Sequence, residues 1–213
     1  MISKVNRPLE IQDLGLRDYA EIWQLQKELV EKRARQEIPD QLLLVEHPAV
    51  FTCGRRLRAE TLQDLPAFPL YEIERGGELS FHEPGQLVGY PIIWLPPEKR
   101  DLRAFLSRLE KTLILTLKDL DFQAHSHPEA GHTGVWLKDR KIASIGIAVR
   151  RWVTWHGFAL NINNSLTMIQ GLNPCGFPAE VMISLKEAGQ REYNMEYIKE
   201  RVKIHFQELL ATS

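Results

Sequence analysis

The order of helical and β-like segments constrains the fold of this sequence more than any single motif does. Apolar residues recur at helical spacing after Asp18 and again after Asp101, where they form one stripe that ends near Leu120. Other segments are β-like, because they are rich in β-branched and aromatic residues: PLYEIER, QLVGYPIIWL, GVWL, KIASIGIAV and WHGFALNIN. No regular βαβ alternation runs through this order. It therefore favours an α+β fold with a mostly antiparallel or mixed β-sheet that helices cover on one side.

Short polar and turn signals predict where several elements begin and end. Asp18 suits the N-cap of a first helix over residues 18–36. The stretch QLLLVEHPAVFTCGR is typical of a strand, a turn and a second strand, and KDR at 138–140 predicts a hairpin turn. Ser184 and Glu187 have the spacing of a capping box, and Asn194 precedes a last amphipathic helix. No repeat, low-complexity tract or long linker separates these elements, so we expect one domain over residues 1–213.

The composition narrows the classes of function. With 27 Lys and Arg against 28 Asp and Glu, the formal net charge is −1, which argues against a general binder of nucleic acid. The start of the sequence has no apolar signal region, and no apolar run approaches the roughly 18 residues that span a bilayer, so we expect no membrane segment and a cytosolic protein. Two cysteines are too few for a disulfide framework, and we interpret both as free thiols.

The two cysteines lie in different local contexts. Cys175 stands between a proline and a glycine in LNPCGFP, where neither a helix nor a strand continues readily. One interpretation is a buried cysteine that only fills space. The other is a nucleophile, because such a loop offers substrate access and close backbone approach to a thiolate. Cys53 lies inside the apolar run AVFTCG, and we expect it to be a packed strand residue.

Lysine and histidine residues supply further candidates, each with an ordinary structural alternative. Lys141 opens the apolar segment KIASIG, where it is either a cation for a nearby thiol or a strand-end lysine whose stem covers apolar surface. His82 lies in the glycine-rich RGGELSFHEPGQLVGY, which predicts backbone close to a ligand or a structural turn. The histidines of HSHPEAGH match no standard zinc spacing, so we expect no metal site there: His125, His127 and His132.

Several stretches together resemble the octanoyl-acyl-carrier-protein:protein N-octanoyltransferases, the enzymes that start lipoic acid assembly. They are LLLVEHPAVFTCGR, RGGELSFHEPGQLVGYPII, GVWLKDRKIASIGIAVRRWVTWHGFALNIN and NPCG, in the same order and spacing. The resemblance implies the fold shared by biotin and lipoate protein ligases, with Cys175 as nucleophile and Lys141 as the residue that lowers the pKa of its thiol. It also implies that three stretches hold the acyl chain and its thioester: Arg75, Gly76, Gly77, Glu78, Leu79, Ser80, Phe81 and His82; Ser144, Ile145 and Gly146; and Gly157, Phe158 and Ala159.

In the reaction that this resemblance implies, the Cys175 thiolate attacks octanoyl-acyl carrier protein and forms an acyl-enzyme. A target lysine then attacks the enzyme thioester, with Lys141 as the base; the acceptors are lipoyl domains of 2-oxoacid dehydrogenase complexes and the glycine cleavage H protein. No cofactor is required. Since donor and acceptor proteins are generally acidic, basic residues either steer them or are ordinary solvated strand ends: Arg55, Arg56, Arg58, Lys138, Arg140, Arg150 and Arg151.

Two departures from the family pattern and three alternative functions remain. The HSHPEAGH segment before Gly134 differs from the arginine-containing stretch that is common there in the family, so the resemblance implies no role for its histidines. Glu83 in HEPGQ stands where the family often has glycine, and its carboxylate either points to solvent or alters the preference for an acceptor. The alternatives are an ATP-dependent lipoate or biotin protein ligase, octanoyl transfer between two lipoyl proteins, and a non-catalytic module that binds acyl carrier protein or lipoyl domains. The absence of a GRGRxG-type nucleotide loop argues against the ligase, which also leaves NPCG unexplained.

Overall fold

The computed structural model describes residues 9–56, 67–127, 129, 133–167 and 181–211. Its α-helices in those ranges are α1 (Tyr19–Ala34), α2 (Leu102–Lys118), α3 (Leu185–Gly189) and α4 (Met195–Ala211). Its strands there are β1 (Leu9–Leu16), β2 (Asp40–Glu46), β3 (Val50–Cys53), β4 (Leu70–Glu72), β5 (Leu79–His82), β6 (Gln86–Ile92), β7 (Ala124–Ser126), β8 (Gly134–Leu137), β9 (Arg140–Arg150) and β10 (Val153–Asn161). Within the same ranges, no helix is long and apolar enough to cross a bilayer.

The strands form two sheets. Seven of them lie in the order β1-β2-β6-β10-β9-β8-β7, and β3 lies between β4 and β5 in a second sheet of three. The β1–β2 and β3–β4 pairs are parallel, and all other pairs are antiparallel. The predicted α+β fold with a mixed, mostly antiparallel sheet is therefore confirmed.

Helices cover both faces of the large sheet, so the expectation of helices on one side was wrong. Leu42 and Leu44 of β2 pack in a cluster with α2 and α4, whereas Leu43 and Val45 pack in a second cluster with Ile22 and other residues of α1. Successive strand residues point to opposite faces, so a strand buried on both faces has a continuous apolar run. The run LLLV in β2 carries that signal.

The local signals for element ends are confirmed. Asp18 Oδ1 accepts a hydrogen bond from the Ala20 amide at 2.8 Å, and Ser184 Oγ accepts one from the Glu187 amide at 3.3 Å. The first helix ends at Ala34 rather than at residue 36, because Gln36 takes a φ of 62°. The hairpin turn predicted at 138–140 joins β8 to β9.

Two features of the topology were not anticipated. β1 was not recognised as a strand. It pairs with β2, although the whole of α1 lies between these two strands in the sequence. The strand–turn–strand interpretation of residues 41–55 is confirmed, but β2 and β3 belong to different sheets. The turn between β2 and β3 therefore carries the chain from the large sheet to the small one, and the candidate site lies where the two sheets meet.

Candidate active site

A cavity of about 200 Å³ brings together most of the residues predicted from the resemblance. It is lined by Lys141 and by the predicted substrate-binding residues except Leu79 and Phe81. Those two side chains pack instead with Phe51 and Cys53 in an apolar cluster of the small sheet. Alternate residues of a strand face opposite sides, so β5 directs Ser80 and His82 to the cavity and Leu79 and Phe81 away from it.

Small residues of β9 and β10 form the floor of this cavity. Ser144 pairs with Ala159 and Gly146 pairs with Gly157, so two neighbouring cross-strand pairs leave the sheet face open. A Cβ atom at Gly157 would lie 2.0 Å from the Gly89 carbonyl oxygen of β6, so only glycine fits at this position of β10. The floor can therefore accept an extended apolar chain.

The loop that follows β4 forms the roof, and Arg75 organises it. The buried Arg75 Nη2 donates hydrogen bonds to the carbonyl oxygen and the hydroxyl oxygen of Thr52, at 2.7 and 3.0 Å. Its Nη1 donates to the Gly76 carbonyl oxygen at 3.0 Å. The Gly76 amide donates to the Ile147 carbonyl oxygen of β9 at 3.2 Å, which ties the roof to the floor. Arg75 thus joins the small sheet to the roof of the cavity.

His82 is a neutral, fully hydrogen-bonded member of the cavity wall. Its Nδ1 donates to Gln86 Oε1 at 2.7 Å, and its Nε2 accepts from the Thr52 hydroxyl at 3.5 Å. Burial is the main cause that lowers the pKa of His82 from 6.5 to about 3. Gln86 Nε2 in turn donates to Asn161 Oδ1 at 2.9 Å. This arrangement fixes the ring and makes His82 a poor proton donor at neutral pH.

Lys141 lines the cavity and is 5% exposed. Its Nζ is 5.6 Å from the centre of the Trp136 ring. Gly134 makes room for its stem, since a Cβ atom there would lie 2.6 Å from Lys141 Cε. The Lys141 carbonyl oxygen accepts a hydrogen bond from the Ile183 amide at 3.1 Å. A buried amine beside an apolar slot can stabilise an anion or take up a proton.

Cys175 lies outside the described residues. The described chain on either side of it, at Leu166 and at Met182, lines a second cavity of about 30 Å³ together with Lys141 and Ser144. The backbone of Met182 also forms a β-bridge with Lys141. Leu166 and Met182, which flank the range that contains Cys175, therefore line the same cavity as Lys141.

The structure also bears on the predictions for Cys53, for Glu83 and for a metal site. Cys53 is a buried strand residue, as expected, and burial raises the pKa of its thiol. Glu83 does not point to solvent, because its carboxylate accepts a hydrogen bond from the Leu166 amide at 3.0 Å. His132 lies outside the described residues. Among the residues that the structure describes, no group of three His, Cys, Asp or Glu side chains is arranged to hold a metal ion.

Sequence reasoning missed the polar residues behind the cavity. Thr52 and Gln86 fix Arg75 and His82, and Asn161 Nδ2 donates to the Ile183 carbonyl oxygen at 3.1 Å. The signal for Asn161 is the run NINN at the end of an apolar strand, because amide side chains there can bond to backbone groups. Thr52 had no distinctive signal, since threonine is common in strands.

Comparisons with known proteins bear on this geometry. The family described as the lipoyl protein ligase A/B catalytic domain matches residues 18–207. A curated octanoyltransferase of Syntrophotalea carbinolica is 44% identical over 204 residues, covering 96% of this chain and 95% of its own. The chain belongs to the octanoyltransferase family. An octanoyltransferase of Christiangramia forsetii is 40% identical and covers 96% of this chain and 97% of its own. The resemblance identified in the sequence is confirmed.

Solved structures place the octanoyltransferase fold among the ligases. A crystal structure of lipoate-protein ligase A bound with ATP superposes with a TM-score of 0.71 at 14% identity, covering 96% of this chain and 85% of that one. The apo structure of biotin protein ligase from Aquifex aeolicus gives a TM-score of 0.55 at 11% identity, covering 96% of this chain and 69% of that one. At these identities the likeness concerns the fold alone, and it confirms the predicted ligase-like architecture.

Proposed function

We propose that this chain transfers an octanoyl group from octanoyl-acyl carrier protein to the target lysine of lipoyl domains and of the glycine cleavage H protein. The observation that carries the proposal is one cavity that joins a buried amine, Lys141, to a floor of small residues at Gly146 and Gly157. A slot of this kind suits an unbranched acyl chain, for which each buried methylene contributes about 0.8 kcal/mol. Curated relatives with the name octanoyltransferase support the choice of acyl group.

In the first half-reaction, the Cys175 thiolate attacks the thioester carbonyl carbon of the donor. A new carbon–sulfur bond forms to Cys175, the bond to the phosphopantetheine sulfur breaks, and Lys141 gives a proton to that departing thiolate. One thioester replaces another, so the step is close to balanced and needs no ATP. Lys141 supports this role because a buried ammonium group favours a nearby anion.

In the second half-reaction, the amine of the acceptor lysine attacks the enzyme thioester. Neutral Lys141 accepts a proton from this amine, an amide bond forms, and the Cys175 thiolate is released. The starting pair of thiolate and ammonium is then restored. One lysine thus serves both half-reactions, and no cofactor takes part.

A basic surface for acidic donor and acceptor proteins is proposed at Arg55 and Arg56. Both are exposed, and Arg56 also lines the cavity, so charge at this position steers a partner to the site. Other basic candidates have acidic neighbours: Arg150 and Arg151 both lie 3.0 Å from oxygens of Glu31. Arg58 lies outside the described residues.

The test is the intact mass of the protein after it is mixed with octanoyl-acyl carrier protein, without ATP and without acceptor. We expect a single octanoyl adduct that Cys175→Ala abolishes, that Lys141→Ala slows and that a lipoyl domain discharges. Cys53→Ala is the matched control: it removes the buried thiol of β3, and it should leave the adduct in place.

The absence of an octanoyl adduct would lead to a second test that distinguishes a ligase from a non-catalytic module. A folded wild-type protein that forms no adduct contradicts the acyl-enzyme, and ATP with free octanoate is then added. Turnover under those conditions identifies a ligase, whereas its absence together with binding of acyl carrier protein identifies a non-catalytic module.

A further inference from the structure

The strand register orders the lining of the cavity of about 200 Å³. Along β9 the lining runs from Lys141 to Ile147, and on β10 it runs from Ala159 back to His156. His156 pairs with Ile147, six residues beyond Lys141, which is a distance along the strand of up to about 20 Å. Lys141 and His156 therefore lie at opposite ends of the part of the lining that these two strands supply.

A buried tryptophan stands behind His156. Trp155 pairs with Ala148, and both pack in an apolar cluster with Ile22 of α1. The rings of Trp155 and His156 are stacked, with their centres 4.3 Å apart. Within the described chain, neither Trp155 nor Ala148 lines the cavity, so the lining that β9 and β10 supply ends at Ile147 and His156.

An unusual backbone conformation brings the His156 ring to this face of the sheet. A regular strand would point Trp155 and Gly157 to one face and His156 to the other. His156 instead has a φ of 53°, and its amide donates to Gln26 Oε1 of α1 at 2.9 Å. Non-glycine residues rarely adopt this conformation, and it persists only where the surroundings fix it. The ring of His156 thus lies beside that of Trp155 at the cavity wall.

Glu74 lies on the outer side of the His156 ring. His156 Nε2 is 3.4 Å from Glu74 Oε2, and Trp23 Nε1 donates to the same oxygen at 3.3 Å. Glu74 and Trp23 line a groove on the surface, whereas His156 is 1% exposed. No hydrogen bond of good geometry reaches either ring nitrogen of His156 from the described residues, so its burial costs stability. Backbone strain with a costly buried group is typical of functional sites.

We propose that His156 ends the acyl slot and limits the length of the chain that the slot accepts. An acyl chain whose thioester lies near Lys141 runs over Gly146 and Gly157 towards the His156 ring. A longer chain must displace that ring or leave methylenes in water, at a cost of about fourfold in rate for each methylene. His156 is thus a specificity-determining residue. This inference rests on the proposed function, which supplies the acyl chain and the position of its thioester.

The experiment compares octanoyl- and decanoyl-acyl carrier protein as donors, with acylation followed by intact mass. The readout is the ratio of the decanoyl rate to the octanoyl rate within one protein, in which a general loss of stability or of reactivity cancels. For His156→Ala we expect this ratio to rise about tenfold above that of the wild type, because the slot gains room for two further methylenes.

Two further variants keep the result interpretable. His156→Asn also shortens the side chain, and asparagine tolerates a positive φ, so it should raise the same ratio with less backbone strain. His205→Ala is the matched control, because it removes a buried histidine of α4 that does not line the cavity. It should lower the urea midpoint and leave the ratio as in the wild type.

The outcomes separate this inference from the proposed function. A folded His156→Ala protein with the wild-type ratio overturns the inference, and so does an equal rise in His205→Ala. If His156→Ala does not fold, the wild-type ratio in His156→Asn overturns it as well.

If the wild type forms no acyl-enzyme, the proposed function has failed, and calorimetric binding of octanoate and decanoate tests His156 without a covalent step. The ratio of the decanoate affinity to the octanoate affinity should rise in His156→Ala. An unchanged ratio, or a wild type that binds neither acid, overturns the inference.

Discussion

At the scale of single residues, Gly134 decides where the Lys141 side chain can lie. Gly134 has a φ of 142°, and a Cβ atom there would lie 2.3 Å from the Ala143 carbonyl oxygen and 2.6 Å from Lys141 Cε. We expect Gly134→Ala to lower the free energy of unfolding by about 1–3 kcal/mol, because overpacking and strain both act. It should also slow acylation, since Lys141 must move. Urea unfolding and intact mass measure the two effects.

Gly15→Ala is the control for Gly134→Ala. Gly15 also has a positive φ, 64°, but a Cβ atom there would meet no atom within 4 Å. The substitution should therefore cost only backbone strain, of about 1 kcal/mol, and leave acylation unchanged. If both variants lost acylation equally, the effect would be general instability rather than displacement of Lys141.

The sequence predicted some site residues and missed others for a physical reason. Lys141 was a candidate because it opens a mostly apolar, β-like segment, and His82 because its surroundings are rich in glycine. Thr52 and Glu83 act through partners that are far away in the sequence, such as Arg75 and Leu166. Their role depends on how β3 and the turn at 163–166 are brought together, and local residue pattern carries no such information.

At the scale of elements, the adjacent strands β9 and β10 and the roof above them set the height of the slot that we propose for the acyl chain. A Cβ atom at Gly146 would lie 3.1 Å from the Gly76 carbonyl oxygen and 3.3 Å from Arg75 Cδ, so the roof would have to shift by a few tenths of an ångström. We expect Gly146→Ala to fold and to slow acylation by octanoyl more than acylation by hexanoyl, because a longer chain reaches further along the floor. Rates with six-, eight- and ten-carbon donors test this.

Ser144→Ala is the matched control for the floor. Ser144 lines the same cavity in the neighbouring cross-strand pair, Ser144 and Ala159. Its replacement by alanine adds no volume. It should leave the order of preference among chain lengths unchanged. Equal slowing of all three donors by Gly146→Ala would show that Gly146 does not limit the slot.

Helices and strands were predicted correctly where local sequence signals define them. They were predicted incompletely where the paired strands are far apart in the sequence. α1, α2 and the hairpin of β8 and β9 follow from caps, apolar stripes and turn residues within a few positions. β1 pairs with β2 only after the chain has passed through α1, and its sequence LEIQDLGL contains glycine and aspartate, which are depleted in strands. The division of β2 and β3 between sheets is likewise a property of the whole chain.

At the scale of the whole molecule, buried histidines lie where α1 and the two sheets meet. The ring of His47 lies 5.2 Å from that of Tyr19 and 5.9 Å from that of His82. His47 Nδ1 donates to the Arg17 carbonyl oxygen at 2.8 Å, and its Nε2 accepts from the Tyr90 hydroxyl at 2.9 Å. Burial is the main cause that lowers the pKa of His47 to about 4 and that of His82 to about 3. Both rings are therefore neutral in the folded protein at pH 5.

This burial predicts a loss of stability in mild acid. The unfolded chain protonates each histidine near pH 6.5, whereas the folded chain does so only near pH 4 and pH 3. The stabilisation is fully present above pH 6.5 and is lost as the pH falls through this window, because the unfolded state then binds more protons. From pH 7 to pH 5 each histidine should lower the free energy of unfolding by about 2 kcal/mol.

His47→Gln should remove one such contribution from the fall measured by urea unfolding. His125→Gln, at an exposed position, should show the wild-type fall. A wild-type protein that is equally stable at pH 7 and pH 5 would contradict the neutral, buried state of these histidines.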